Sequence, residues 1–230
     1  FAGCGDNGSD VASFDLTQNQ SALLNGNDTN DFNVEYYTSQ QDAIDGTSPI
    51  NDPANFQNTS NPQTIWGKQD NLESEDCFVL GTFEVEVFPT PEIQQTINLN
   101  ECSVDGQSVD FDLSINNANS MGVADPANTN VSYYFTDAQA NNAQNPIQSP
   151  DTYELPADQL EQTIFVRAEN SNSPNCFSVS TFELTIFEVT VNPVDDLNEC
   201  ADGSGNDTAT FDLTQNTALA LGTQDPDDYS

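Results

Sequence analysis

The chain has 230 residues, with 38 Asp and Glu against two Lys and Arg, no His, and a formal net charge of −36. Two basic residues cannot build the patch that neutralises nucleic-acid phosphates, and an anionic membrane surface would repel so acidic a chain. Without His only carboxylates could do general acid–base work, and the hydroxyl residues lack the base that would activate them, so the composition points to a non-catalytic protein whose natural small partners are cations.

The hydrophobic share of 35% would suit a disordered acidic chain, but the 14 Phe and six Tyr fall in short alternating runs. In chain order, a Gly-rich turn after Cys4 leads to a strand in VASFDLTQN (11–19), and SALLNG (21–26) reads as one or two helical turns ended by Gly26. NVEYY (33–37) is the next strand. Ser39 then caps a short helix over QQDAID, ended by Gly46. TIWGK and FEVEV (83–87) complete the set, the latter with Phe83, Val85 and Val87 on one face, the period of a half-buried antiparallel strand. Pro89, Pro91 and, later, Pro193 stiffen linkers near 88–92 and 187–194.

The same series then begins again. VASFDLTQN returns as SVDFDLSIN (108–116) and TATFDLTQN (208–216), NVEYY as NVSYY, QTIWGKQDN as QTIFVRAEN, and DCFVLGTFEVEVF as NCFSVSTFELTIF. Cys4, Cys102 and Cys200 are 98 apart and Cys77 and Cys176 are 99 apart, so the period is about 98 residues. That is the size of an autonomous domain. The expected fold is all-β: tandem immunoglobulin-like β-sandwich repeats over 1–91 and 92–193, with 194–230 as the first part of a third. No leader, membrane span or sorting tail stands out, and with Phe1 in first place the chain reads as a window on a longer array.

With no CxxC spacing and no His, the five cysteines suit disulfides in an exported protein rather than zinc. Pairing within a repeat, Cys4–Cys77 and Cys102–Cys176, is preferred and leaves Cys200 over; pairing across the junction, Cys77–Cys102 and Cys176–Cys200, is the alternative and leaves Cys4. The turns between the first cysteine of each repeat and its FDL segment gather hard oxygen ligands: Asp6, Asn7 and Asp10; Asp105 and Asp110; Asp202, Asn206 and Asp207. Calcium takes such ligands, whereas an Asx-rich turn bonding its own backbone is the structural alternative. Asp28 and Asp31, echoed by Asp225, Asp227 and Asp228, form a second candidate. Asp15, Asp112 and Asp212 of the FDL segments read as structural acceptors at a sheet edge. Lys68 and Arg167, the only basic residues, share one repeat position and call for a salt bridge to a nearby carboxylate.

The succession FDLTQN, NVEYYTSQQDAIDGTSPI, ANFQNTSNPQTIWGKQDN and CFVLGTFEVEV resembles the repeats of very large cell-surface proteins of Bacteroidetes. These include gliding-motility adhesins of the SprB type, exported by the type IX secretion system. The resemblance covers essentially the whole chain and implies a surface location, an extended stalk, and a role in adhesion or gliding. Val166-Arg167 keep the usual pair at their position; Gly67-Lys68 depart from it, which bears on packing. The partners so implied are neighbouring repeats of the same chain and, if the repeats build a surface filament, other chains. A carbohydrate-binding module is a further alternative, for which exposed Tyr36, Tyr133 or Trp66 would be the sign.

Overall fold

The computed structural model describes residues 1–6, 9–104, 106–121, 126–190, 192–201 and 208–225, with only the backbone of Glu75 and Asp76. In the first repeat the strands are β1 (Ala2–Gly5), β2 (Ser13–Phe14), β3 (Phe32–Tyr37), β4 (Phe56–Gln57), β5 (Gln63–Asn71) and β6 (Ser74–Pro89). Helices α1 (Gln20–Leu24) and α2 (Gln40–Asp45) lie between them. In the second repeat β7 (Leu99–Val104), β8 (Val109–Phe111), β9 (Thr129–Tyr134), β10 (Tyr153–Leu155), β11 (Glu161–Asn170) and β12 (Ser173–Val189) alternate with α3 (Asn117–Met121) and α4 (Asp137–Asn142). The third copy contributes α5 (Thr217–Leu221).

Each full repeat has two sheets: a four-stranded one ordered β1-β6-β5-β3 or β7-β12-β11-β9, and a two-stranded one, β2-β4 or β8-β10. The fold is all-β and immunoglobulin-like, repeated twice. β5 runs antiparallel to both β3 and β6. The first strand joins the last in parallel, with Cys4 opposite Phe88 in one repeat and Cys102 opposite Phe187 in the other. By density of contacts the chain falls into two compact units, Phe1–Thr96 with Ile115–Ile147 and Phe165–Thr181, and Ile97–Ser114 with Gln148–Ile164 and Phe182–Ser230.

Alternation in the sequence decides which side chains are buried. In β6, Val85 and Val87 are buried and join Phe14, Leu16, Tyr36, Phe56 and Ile65 in the first unit's core, with Phe83 packed against it. In the second unit Phe111, Leu113, Leu155, Ile164, Phe182, Leu184 and Ile186 are buried. The counterparts in the third copy, Phe211 and Leu213, are 45% and 76% exposed.

The FDL segment is a shorter strand than its apolar pattern suggests. Asp15 accepts hydrogen bonds from the backbone N and hydroxyl of Thr17 and caps a 3-10 turn over Leu16–Asn19, so β2 ends at Phe14. Asp112 and Asp212 accept the same pair of bonds from Ser114 and Thr214. These aspartates are the structural acceptors expected, and Asp15 and Asp112 cap turns that begin where β2 and β8 end. Ser39 caps α2, and Gly46 ends it at φ 64°, a left-handed conformation that costs glycine little. α1 ends one residue earlier than its glycine suggests, at left-handed Asn25.

Candidate functional site

The sulfurs of Cys4 and Cys176 are bonded, their Cα atoms 5.2 Å apart and 172 residues apart in sequence. This replaces both pairings expected from the sequence. The parallel pairing of β1 with β6 is the reason it excludes Cys4–Cys77. Cys4 stands opposite Phe88, and Cys77 is eleven residues back along that same strand, about 36 Å away at the rise of an extended chain. A disulfide needs Cα atoms within about 7 Å. Cys102, opposite Phe187 on β12, is separated from Cys176 in the same way. With Cys176 bonded to Cys4, the junction pairing Cys176–Cys200 is also closed off. Cys77, Cys102 and Cys200 are unbonded and exposed.

The bond is the centre of a joint between the first repeat and the parts of β9, β11 and β12 that lie in the same compact unit, within Ile115–Ile147 and Phe165–Thr181. Cys176 is 1% exposed. The Oγ of Ser173 lies 3.4 Å from its sulfur. Asn170, 4% exposed, accepts a bond from Asn172 N through Oδ1 (3.0 Å) and donates from Nδ2 to Pro89 O (3.2 Å). Gln94 N donates to Asn119 O (2.9 Å), and Thr96 Oγ1 to Thr181 O (2.8 Å). Phe88, Pro89, Pro91, Asn128, Thr129 and Asn170 line a small cavity of about 160 Å³. The segment expected to be a proline-stiffened linker thus begins inside β6 and is held by Thr90 N donating to Gly5 O (2.9 Å).

Lys68 Nζ lies 2.9 Å from Asp70 Oδ1, and Arg167 Nε lies 2.7 Å from Glu169 Oε2. Each carboxylate is two residues along the same strand. Arg167 also donates from Nη1 to Ala140 O (3.0 Å) and Asn141 O (3.2 Å), and from Nη2 to Pro174 O (2.6 Å), while its guanidinium stacks 3.5 Å from the Phe177 ring centre. The guanidinium thereby satisfies carbonyls at the end of α4, which favours a cation. Lys68 sits 4.7 Å from Phe78 in the equivalent place, and among the described residues it makes no such carbonyl bonds.

Of the expected calcium ligands, Asn7, Asp105, Asp202, Asn206 and Asp207 lie outside the described residues, as do Asp227 and Asp228. Asp6 O accepts a bond from Ser9 N, Asp10 Oδ1 accepts from Asn61 Nδ2 (3.3 Å), and Asp110 pairs with Glu154 across β8 and β10. Among the described residues no three of His, Cys, Asp and Glu are grouped to hold a metal ion. Asp28 Oδ1 accepts from the backbone and side-chain nitrogens of Asn30, an Asx turn. Tyr36 and Tyr133 are 3% and 1% exposed and offer no stacking face for a sugar; Trp66 is half-buried. No helix among the described residues is long and apolar enough to cross a membrane.

Two-sheet repeats tied by a disulfide from the first strand of one to the last strand of the next define a class of tandem structural domains. The Flavobacterium inter-domain disulphide bond domain matches residues 1–91 and again 98–192, and the chain belongs to that family. Among solved structures, a three-immunoglobulin-domain segment of titin is 9% identical with a TM-score of 0.30, covering 71% of this chain and 59% of its own length. Immunoglobulin domains one to five of Sidekick-1 are 7% identical at a TM-score of 0.31, covering 81% and 37%. The human desmocollin-1 ectodomain is 10% identical at 0.23, covering 87% and 42%. The chain thus spans less than two thirds of each of these structures. No curated protein sequence matches it.

Proposed function

We propose that this chain is a non-catalytic, extracellular structural segment: part of the stalk of a cell-surface adhesin of the SprB type, exported by the type IX route and serving adhesion or gliding. The observation that carries this reading is the Cys4–Cys176 bond, in a family named for bonds between domains. Disulfides persist outside the reducing cytosol. A stalk transmits force, and a bond that spans two repeats keeps the intervening chain from paying out when one of them unfolds. The charge of −36 keeps such a surface soluble and self-repelling.

Single-molecule stretching from the two termini tests the mechanical role. Oxidised chain should withhold the 172 residues between the bonded cysteines, a contour length of about 600 Å at the reach of an extended chain. Reduction, or the variant Cys4→Ser, should release it. Equal extension before and after reduction would overturn the proposal.

A further inference from the structure

The basic position of the second repeat is a filled site, and that of the first is an open one. Arg167 stands opposite Ser132 across β11 and β9. Its guanidinium bonds to Glu169 and to the carbonyls of Ala140, Asn141 and Pro174, and it stacks on Phe177. Lys68 stands opposite Glu35 across β5 and β3, and its ammonium pairs with Asp70. Beside it, at the end of α2, lies a hollow of about 540 Å³. Three of its lining residues, Ile44, Asp70 and Phe78, are the counterparts of Asn141, Glu169 and Phe177, which hold the Arg167 guanidinium. The carbonyl of Ile44 belongs to the last turn of α2, where carbonyls have no partner within the helix.

The lining also differs in charge. Glu35 and Asp45 replace Ser132 and Asn142, so three carboxylates face one ammonium, against one carboxylate and one guanidinium in the second repeat. Glu35 accepts the Tyr37 hydroxyl through Oε2 (2.7 Å), and Asp45 accepts Gln41 Nε2 through Oδ2 (2.8 Å). Among the described residues the second oxygen of each accepts nothing. Ile44 and Leu72, 42% and 57% exposed, replace Asn141 and Ser171, so the rim is apolar where the second repeat is polar. Of the counterparts of the lining residues, Asn170 is the one that bonds to the first repeat among the described residues. The hollow is therefore not a face of the joint at Cys4–Cys176.

We propose that this hollow is a binding site for an arginine side chain on an extended polypeptide segment with apolar residues beside the arginine. Lys68 and Arg167, the basic residues of this sequence, are 8% and 3% exposed, so the guanidinium comes from outside these 230 residues. A planar fork of five donors matches spread carboxylate oxygens and a helix-end carbonyl, and its face can stack on Phe78 as that of Arg167 stacks on Phe177. The end of α2 adds the negative pole of a helix. Ile44 and Leu72 pack against the apolar neighbours of the arginine. This binding does not depend on the Cys4–Cys176 bond, and it adds a recognition surface to a repeat otherwise read as structural.

The test is a nuclear magnetic resonance titration of the full chain, nitrogen-15 labelled, with acetyl-Leu-Arg-Leu-amide, at about 0.15 M salt to screen attraction beyond about 8 Å. The amides of Gly46, Lys68 and Asp70 should shift and saturate, while their counterparts Ala143, Arg167 and Glu169 stay still. The same peptide with citrulline, which keeps the shape and loses the charge, should bind about tenfold more weakly, as should the lysine peptide, which lacks the fork. Glu35→Gln with Asp45→Asn should weaken the arginine peptide by about tenfold, whereas Asp28→Asn with Asp31→Asn, equal in charge but outside the hollow, should leave it unchanged. Asp45 is exposed, so Asp45→Asn alone keeps the test available if the pair does not fold, and it should weaken binding too. Shifts spread over the acidic surface, equal binding of the citrulline or lysine peptide, or equal losses in the two double variants would overturn the proposal. Tighter binding of glucosamine than of the arginine peptide would make the hollow a sugar site and overturn it likewise.

Discussion

The two full repeats share sheet order and edge pairing, yet they fill equivalent positions with different chemistry. In the first, Leu23 lies over Gly67 and Gly81, where a Cβ on Gly67 would stand 2.5 Å from a Leu23 methyl. In the second, the matching positions hold Ser120, Val166 and Ser180, with Ser120 and Val166 fully buried. Volume removed from the helix has moved to the strand. The basic position changes too, from a lysine with one ion pair to an arginine that ties Glu169 and three carbonyls together. The lesson is that the backbone frame is held by pattern and total volume, while each copy solves its local packing independently.

Exchanging the cations should break this equivalence most strongly. Arg167→Lys keeps a charge near Glu169 but strands the carbonyls of Ala140, Asn141 and Pro174. We expect a loss of about 3 kcal/mol by denaturant titration, since bonds to charged donors are worth roughly 1.5–3 kcal/mol each and are not additive. Lys68→Arg should be near neutral. Equal effects in the two repeats would show that the carbonyl bonds contribute nothing. The volume exchange comes next. Gly67→Val presses on Leu23 and should cost about 2 kcal/mol, the usual penalty of overpacking. Combining it with Leu23→Ser, which recreates the second repeat's solution, should recover part of that loss, and strictly additive costs would reject the coupling.

Much of the architecture was legible in the sequence because it rests on local signals. The alternation in FEVEV and FELTI marked the faces that bury Val85, Val87, Leu184 and Ile186, and Ser39 with Gly46 marked both ends of α2. The repeat period gave the number of copies. What was not legible depends on which strands become neighbours. The parallel pairing of β1 with β6 puts Cys4 near Phe88 and far from Cys77, and no periodicity expresses that. Every cysteine pairing that respects the period looks alike in one dimension, so the choice between repeats required the register. The role of Asn170 was hidden for the same reason, since it is an ordinary turn asparagine until Pro89 is brought to it. The FDL aspartates were placed in a strand because their apolar neighbours alternate, and competition from the Asp15 side chain for Thr17 N ends that strand early.

The smallest contrast lies in the two tyrosines that begin the Tyr-Tyr pairs of β3 and β9. Tyr133 donates its hydroxyl to Asn117 Oδ1 at 2.7 Å. Tyr36, equally buried, has a hydroxyl with no partner among the described residues. Tyr133→Phe should therefore cost about 1 kcal/mol, the net worth of a buried hydrogen bond whose acceptor is left behind. Tyr36→Phe should be neutral or stabilising, because it removes a polar group that folding desolvates for nothing. Burial, and secondarily the charge of Asp15, raises the Tyr36 phenol above its ordinary 10.0. A phenol raised in the folded state holds its proton there more tightly than in the unfolded chain. Its contribution to stability is thus full below pH 10 and fades as the pH climbs through the raised value. Tyr36→Phe removes that alkaline loss as well, so its advantage over the parent should widen above pH 10 in thermal melts, whereas a Tyr36→Phe melt that falls below the parent at neutral pH would mean that the hydroxyl has an acceptor after all.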